Sequence, residues 1–183
     1  MPIARLSRRA ALAALPFAFA GGLALAQVPA PGSPMTLERL DAVIRRVDAD
    51  AQGLGGLWRF TVEGAVVTVV TDASADRMRI LIPVRPVDGL RPQDLYRMMQ
   101  ANFDTALDAR YAIAQEILWS TFIHPLSPLD ERQFLAGLGQ AVNLARNFGT
   151  SYASGLLTFR GGDTGAEIDR ELIERLLKRG API

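Results

Sequence analysis

Apolar residues recur along this chain with two different periods, and the switches between them outline the fold. Leu37, Leu40, Ile44 and Val47 form one stripe of a helix that starts at Thr36, a good N-cap, and runs to about Asp50. Gly53-Leu54-Gly55-Gly56 ends it and turns the chain. Trp58, Phe60 and Val62 then alternate with Arg59, Thr61 and Glu63, the period of a half-buried strand. A two-residue turn at Gly64-Ala65 sets Val62 opposite Val67 and Phe60 opposite Val69. Moving the turn to Glu63-Gly64 keeps the same residues on one face. The third strand places Met78, Ile80, Ile82 and Val84 on one side, with Arg77, Arg79 and Leu81 on the other. Pro83 lacks an N–H for the ladder, so it marks a strand end, a bulge or an edge.

The helical period returns at Pro92, which suits a first helical position, with Leu95, Met98, Met99 and Phe103 on one stripe. Ala109 to Ala114 and Ile117 to His124 make a second hairpin around Gln115-Glu116. Ser127 is expected to cap a long third helix, with Pro128 at its start and Asp130 three residues after the cap. Two apolar stripes on that helix, one through Leu135, Leu138 and Val142 and one through Phe134, Ala141 and Leu144, require cover on more than one side. Leu156 to Phe159 suits an extended segment, and Arg160 to Gly165 suits a loop. Glu167 to Arg179 suits a terminal helix, with Ile168, Leu172, Ile173 and Leu176 inward and Lys178-Arg179 at its dipole-matched end. The fold class is α+β: a five-stranded antiparallel sheet with helices packed on one face, in the order α-β-β-β-α-β-β-α, plus a C-terminal helix.

The last hairpin departs from the pattern of a one-sided sheet. Leu118 and Phe122 occupy one face of its second strand, and Ile117, Trp119 and Ile123 occupy the other. Its first strand sets Tyr111 and Ile113 against Ala112 and Ala114. A sheet backed by helices on one side should leave the other side polar. Leaving an indole bare is costly by a few kcal/mol, about the stabilisation that its burial brings. Three covers are open: the tail helix at Ile168–Leu176, a second copy of the chain, or another protein. Tyr111, Ile117, Trp119 and Ile123 are the candidate interface residues.

The first 26 residues place this domain. Arg5, Arg8 and Arg9 head a weakly apolar run, and Ala24 and Ala26 stand at A-x-A spacing, the anatomy of an export signal cut after Ala26. Ser7-Arg8-Arg9 adds a twin-arginine flavour. The expected organisation is a signal peptide over 1–26, a Pro-rich linker over 27–35, a domain over 36–152 and a C-terminal extension with its helix over 153–183. The expected location is the periplasm. Removing the signal leaves 17 basic against 19 acidic residues, too balanced for non-specific nucleic-acid binding. With no cysteine, disulfides, thiolate metal sites and a cysteine-linked lipid at the mature N-terminus are excluded. No apolar run reaches the ~18 to 20 residues of a membrane span, so none is expected after signal cleavage.

Candidate chemistry is sparse. His124 is the sole histidine, and it stands in no metal-ligand spacing. A Ser-His-acid set would draw on Ser120 or Ser127, His124 and Asp130, without the G-x-S-x-G elbow. Gly161-Gly162-Asp163-Thr164-Gly165 lacks the Lys-Ser/Thr pair of a phosphate loop. Asp48-Ala49-Asp50 lacks the rest of a calcium loop. No catalytic residue, metal ligand or cofactor site is therefore assigned.

The element order and several stretches of text together resemble the type III secretion chaperones and the related YbjN-like family. These stretches are Leu57–Val62, Ala109-Arg110-Tyr111-Ala112-Ile113-Ala114 followed by Ile117-Leu118-Trp119, and the joint His124-Pro125-Leu126-Ser127-Pro128-Leu129 before the long helix. The resemblance covers roughly Thr36 to Tyr152 and implies a small domain that often dimerises and binds other proteins without a cofactor. The chain departs from those cytoplasmic, usually acidic chaperones in its export signal and near-neutral charge. The expectation is an exported, non-catalytic protein-binding domain, homodimeric in the sense the resemblance implies. The rivals are a periplasmic hydrolase using His124 and a module with an apolar pocket for a small molecule or lipid.

Overall fold

The computed structural model describes residues 33–104, 106–149 and 164–180. The signal residues Arg8, Arg9, Ala24 and Ala26, residues 27–32 of the Pro-rich linker and the segment 150–163 lie outside the described residues. The elements run α1 (Leu37–Val47), β1 (Gln52–Leu54), β2 (Leu57–Val62), β3 (Ala65–Asp72), β4 (Arg77–Pro86), α2 (Pro92–Asp104), β5 (Arg110–Ala114), β6 (Ile117–His124), α3 (Glu131–Arg146) and α4 (Thr164–Gly180). The strands form one antiparallel sheet in the order β1-β2-β3-β4-β6-β5. The α+β class stands, but the sheet has six strands rather than five. The added strand is β1, cut from the glycine-rich stretch expected to be only a turn.

Turn chemistry explains both this strand and the sheet's register. Gly55 and Gly56 have φ of 59° and 85°, which closes a two-residue hairpin with Leu54 opposite Leu57. Glu63 and Gly64, at 49° and 80°, do the same for β2 and β3. The turn is therefore Glu63-Gly64, and Val62 faces Ala65, Phe60 faces Val67 and Trp58 faces Val69. Gln115 and Glu116, at 51° and 59°, close β5 onto β6 without any glycine. Pro83 stands beside a register shift that resolves at Arg85, and the β3–β4 pairing has already ended at Leu81, so the missing N–H interrupts no ladder there.

The inner face of the sheet carries Trp58, Phe60, Val62, Val67, Val69, Met78, Ile80, Ile82, Leu118 and Phe122, all buried. Helix α1 covers one end, and its Asp41 accepts a hydrogen bond from the Trp58 indole at 2.9 Å. The backbone of Gly53 passes so close beneath that indole that a Cβ there would lie 2.5 Å from the ring. Helix α3 lies over β4 and β6. It starts later than expected. Asp130, not Ser127, is its N-cap, in a reciprocal capping box with Gln133. Ser127 is drawn away by Asp76, whose carboxylate accepts its N–H at 2.6 Å and its hydroxyl at 2.9 Å.

The two-stripe pattern of α3 has its cause in two neighbours. A Cβ at Gly137 would meet the Phe122 ring at 2.6 Å on the sheet side, and one at Gly139 would meet Ile173 of α4 at 2.6 Å. Helix α4 begins at Thr164, three residues before the expected start, and packs on α3 and α1 with Leu172 and Leu176 buried. Its last carbonyl, at Gly180, accepts from Arg46 at 2.7 Å. The tail helix thus sits with the inner layer, so it does not cover the Trp119 face.

Candidate functional site

The outer face of the sheet is an ordered grid, fixed by strand pairing. One row crosses all six strands: Gln52, Arg59, Thr68, Leu81, Thr121 and Arg110. The row on one side runs Leu54, Leu57, Val70, Arg79 and Ile123. The row on the other holds Thr61 paired with Val66, and Pro83, Trp119 and Ala112 paired in line. Ile123 is 54% exposed and Leu57 50%, while Leu81, Val70 and Trp119 are half-buried by their neighbours. The Trp119 indole N–H donates to the Ala114 carbonyl at 3.0 Å, which lays the ring along the sheet. No acid stands in these rows. Arg59 and Arg79 have no ion-pair partner among the described residues. Arg110 donates to the carbonyls of Leu107 and Ala109.

Of the interface candidates, the structure brings Ile117, Trp119 and Ile123 together on this face and takes Tyr111 away from it. Tyr111 pairs with Ser120, on the inner side, and is only 4% exposed. Its hydroxyl donates to the Leu144 carbonyl at 2.7 Å, and its ring meets Phe148 edge to face. Tyr111 is a core residue because α3 reaches over β5 to cover it.

A second apolar surface was not legible as such. Leu95, Met99 and Phe103 read as a core stripe, yet α2 turns only Met98 and Ala101 inward. Phe103 is 79% exposed, and Leu95, Tyr96, Met99 and the following Leu107 are exposed with it. The helix is held by a different residue. Asn102 accepts from the Tyr111 N–H at 2.7 Å and donates to the Tyr111 carbonyl at 3.2 Å, imitating a neighbouring strand. That anchor rotates the longer apolar side chains outward. Ile113, two residues along β5, is also exposed.

Among the described residues, the Ser-His-acid set is not assembled. Ser120 is fully buried, and its hydroxyl donates to the Ala141 carbonyl at 2.8 Å. It lies four residues from His124 on one strand, about 13 Å along the chain. Ser127 is bound to Asp76, and Asp130 caps α3. His124 stacks on Phe122 and holds the Pro125 carbonyl at 2.7 Å through Nδ1. Asp48 accepts from the N–H groups of Asp50 and Thr61, tying the end of α1 to β2. Among the described residues no group of three or more His, Cys, Asp or Glu is placed to hold a metal. Nor is any helix there long and apolar enough to cross a membrane.

The perturbed carboxylates have structural causes as well. The Ser127 N–H and hydroxyl hold Asp76 below the usual carboxylate range. The Arg91 guanidinium, then the Arg91 N–H, lower Asp94 to about 2. Arg45, then the Trp58 indole, lower Asp41.

No protein-family model matches the chain, and no curated protein sequence matches it. Nine solved chains match in structure. One is from the HopA1–SchA chaperone–effector complex, at 9% identity and a TM-score of 0.44 over 62% of this chain and 98% of that one. Another is from the ExsC–ExsE complex, at 17% identity and a TM-score of 0.49 over 67% of this chain and 94% of that one.

Proposed function

We propose that this chain is an exported, non-catalytic protein-binding domain that seats a partner protein on the outer face of its sheet and pairs with a second copy along α2. The outer grid carries the reading: aliphatic, threonine and tryptophan side chains lie in register across six strands with none of the chain's described helices over them. Burying each large apolar residue of such a face stabilises by about 1.5–3 kcal/mol, enough that a few of them support a stable complex. The exposed α2 stripe, continued by Leu107 and flanked by Ile113, supplies a separate surface for self-association.

Two substitutions test the two surfaces separately. Trp119→Glu is expected to remove protein partners captured by the wild-type chain from periplasmic extract while leaving the thermal midpoint nearly unchanged. Unaltered partners would end the outer-face reading. Phe103→Glu is expected to weaken self-association about ten- to hundred-fold in sedimentation equilibrium. A wild-type chain that stays monomeric at high concentration would end the pairing.

A further inference from the structure

The outer grid also specifies what kind of partner it takes; this inference rests on the protein-binding reading just given. We infer that the face receives an amphipathic helix of another protein, with aliphatic residues on its buried side and Asp or Glu flanking them. The backbone N–H and C=O groups of the grid point within the plane of the sheet, so the face itself offers side chains only, and side-chain packing on a sheet is the work of a helix or a second sheet. The charge is one-sided. Within the three rows, Arg59 and Arg79 stand among Leu57, Val70, Leu81, Trp119 and Ile123, and Arg110, held by the Leu107 and Ala109 carbonyls, ends the central row; no carboxylate stands in these rows, and Asp72, one row further, lies opposite Arg77.

A second copy is a poor occupant of this face. A two-fold pairing sets the same patch against itself, arginines against arginines. The chain's own tail is committed elsewhere, because α4 is held by α3, α1 and the Arg46 contact at Gly180. An acidic helix meets both demands. Arg59 and Arg110 share one row four strand spacings apart, about 19 Å, and a helix of about 13 residues spans that distance. Arg79 lies between them, one row to the side. Acids at both ends and one flank of the apolar stripe would reach all three.

The probes are two synthetic helices of equal length with the same leucine face, one flanked by Glu and the other by Lys, titrated calorimetrically into the full chain. The Glu peptide should bind, with affinity falling as salt is added, and the Lys peptide should not. The double reversal Arg59→Glu with Arg79→Glu, at exposed positions where folding is kept, should cost the Glu peptide at least about tenfold and admit the Lys peptide. Equal binding of both peptides, or indifference to the reversal, overturns the inference, as does binding of neither. Tighter, arginine-dependent binding to phosphatidylglycerol vesicles than to the Glu peptide overturns it in favour of a membrane surface. The wider reading is judged apart: partner capture that fails in Trp119→Glu but persists in the arginine double variant keeps protein binding and discards the acidic helix.

Discussion

Gln115 and Glu116 occupy left-handed backbone without being glycine, at φ of 51° and 59°. Such positions cost side-chain-bearing residues free energy that Asn and Gly largely avoid. Replacing the pair by Asn-Gly is expected to stabilise the domain by about 1 kcal/mol, measured by urea unfolding. Gly137 pulls the other way. Alanine there gains up to ~1 kcal/mol of helix propensity but forces a methyl against the Phe122 ring, which is itself buried, at a cost of about 1–3 kcal/mol. The expected net effect is destabilising, read in the same assay. Asp94 sets a pH window. Its folded pKa, about 2, lies below its ordinary 3.8, so its contribution is present above about pH 4 and fades as the pH falls toward about 2. Asp41 and Asp76 shift in the same direction. The acid-side decline in thermal midpoint should shrink in Asp94→Asn.

At the scale of elements, alternation was the most legible signal. Residues 58–62 and 78–82 bury the side that their pattern assigned, because a period of two admits only two facings and apolar content chooses between them. Helix α2 was legible in extent but not in orientation. Its stripe was apolar enough for a core helix, and sequence carried no sign that Asn102 would bind the Tyr111 backbone and fix the rotation instead. Tyr111 was misplaced for a related reason: alternation gave two apolar faces on β5, and only the reach of α3 decided which was covered. Asn102 also blocks a sheet edge by occupying backbone groups that another strand would otherwise pair with. Asn102→Ala is expected to cost about 1–3 kcal/mol and to raise aggregation on heating, followed by light scattering.

At the scale of the whole molecule, the described helices cover one side of the sheet and leave the other uncovered. Helices α1, α3 and α4 stack over the inner face, tied by Glu131 to Arg39 and Arg46 and by Glu63 to Arg146 and Arg175. Apolar alternation on β6 calls for a cover over Trp119, and the amphipathic tail helix qualifies by its sequence alone. The tail went inward because Gly139 leaves α3 a groove that admits Ile173, a fit between residues far apart in sequence that periodicity does not encode. Removing residues 164–183 should therefore unfold or severely destabilise the domain, since it strips Leu172 and Leu176 from the core. Loss of the far-ultraviolet circular dichroism signal would register this, and a truncated chain as stable as the parent would refute it.

The seam between β4 and β6 has a consequence for how quickly the chain reaches this state. Every other strand pairing joins neighbours in sequence, whereas Met78 finds His124 and Pro86 finds Ile117 only after a long loop carrying α2 and β5 has closed. Closing that loop spends chain entropy before the seam repays any of it. Weakening the Ile80–Phe122 pair should therefore slow refolding in stopped-flow, whereas weakening the β2–β3 hairpin should mainly hasten unfolding.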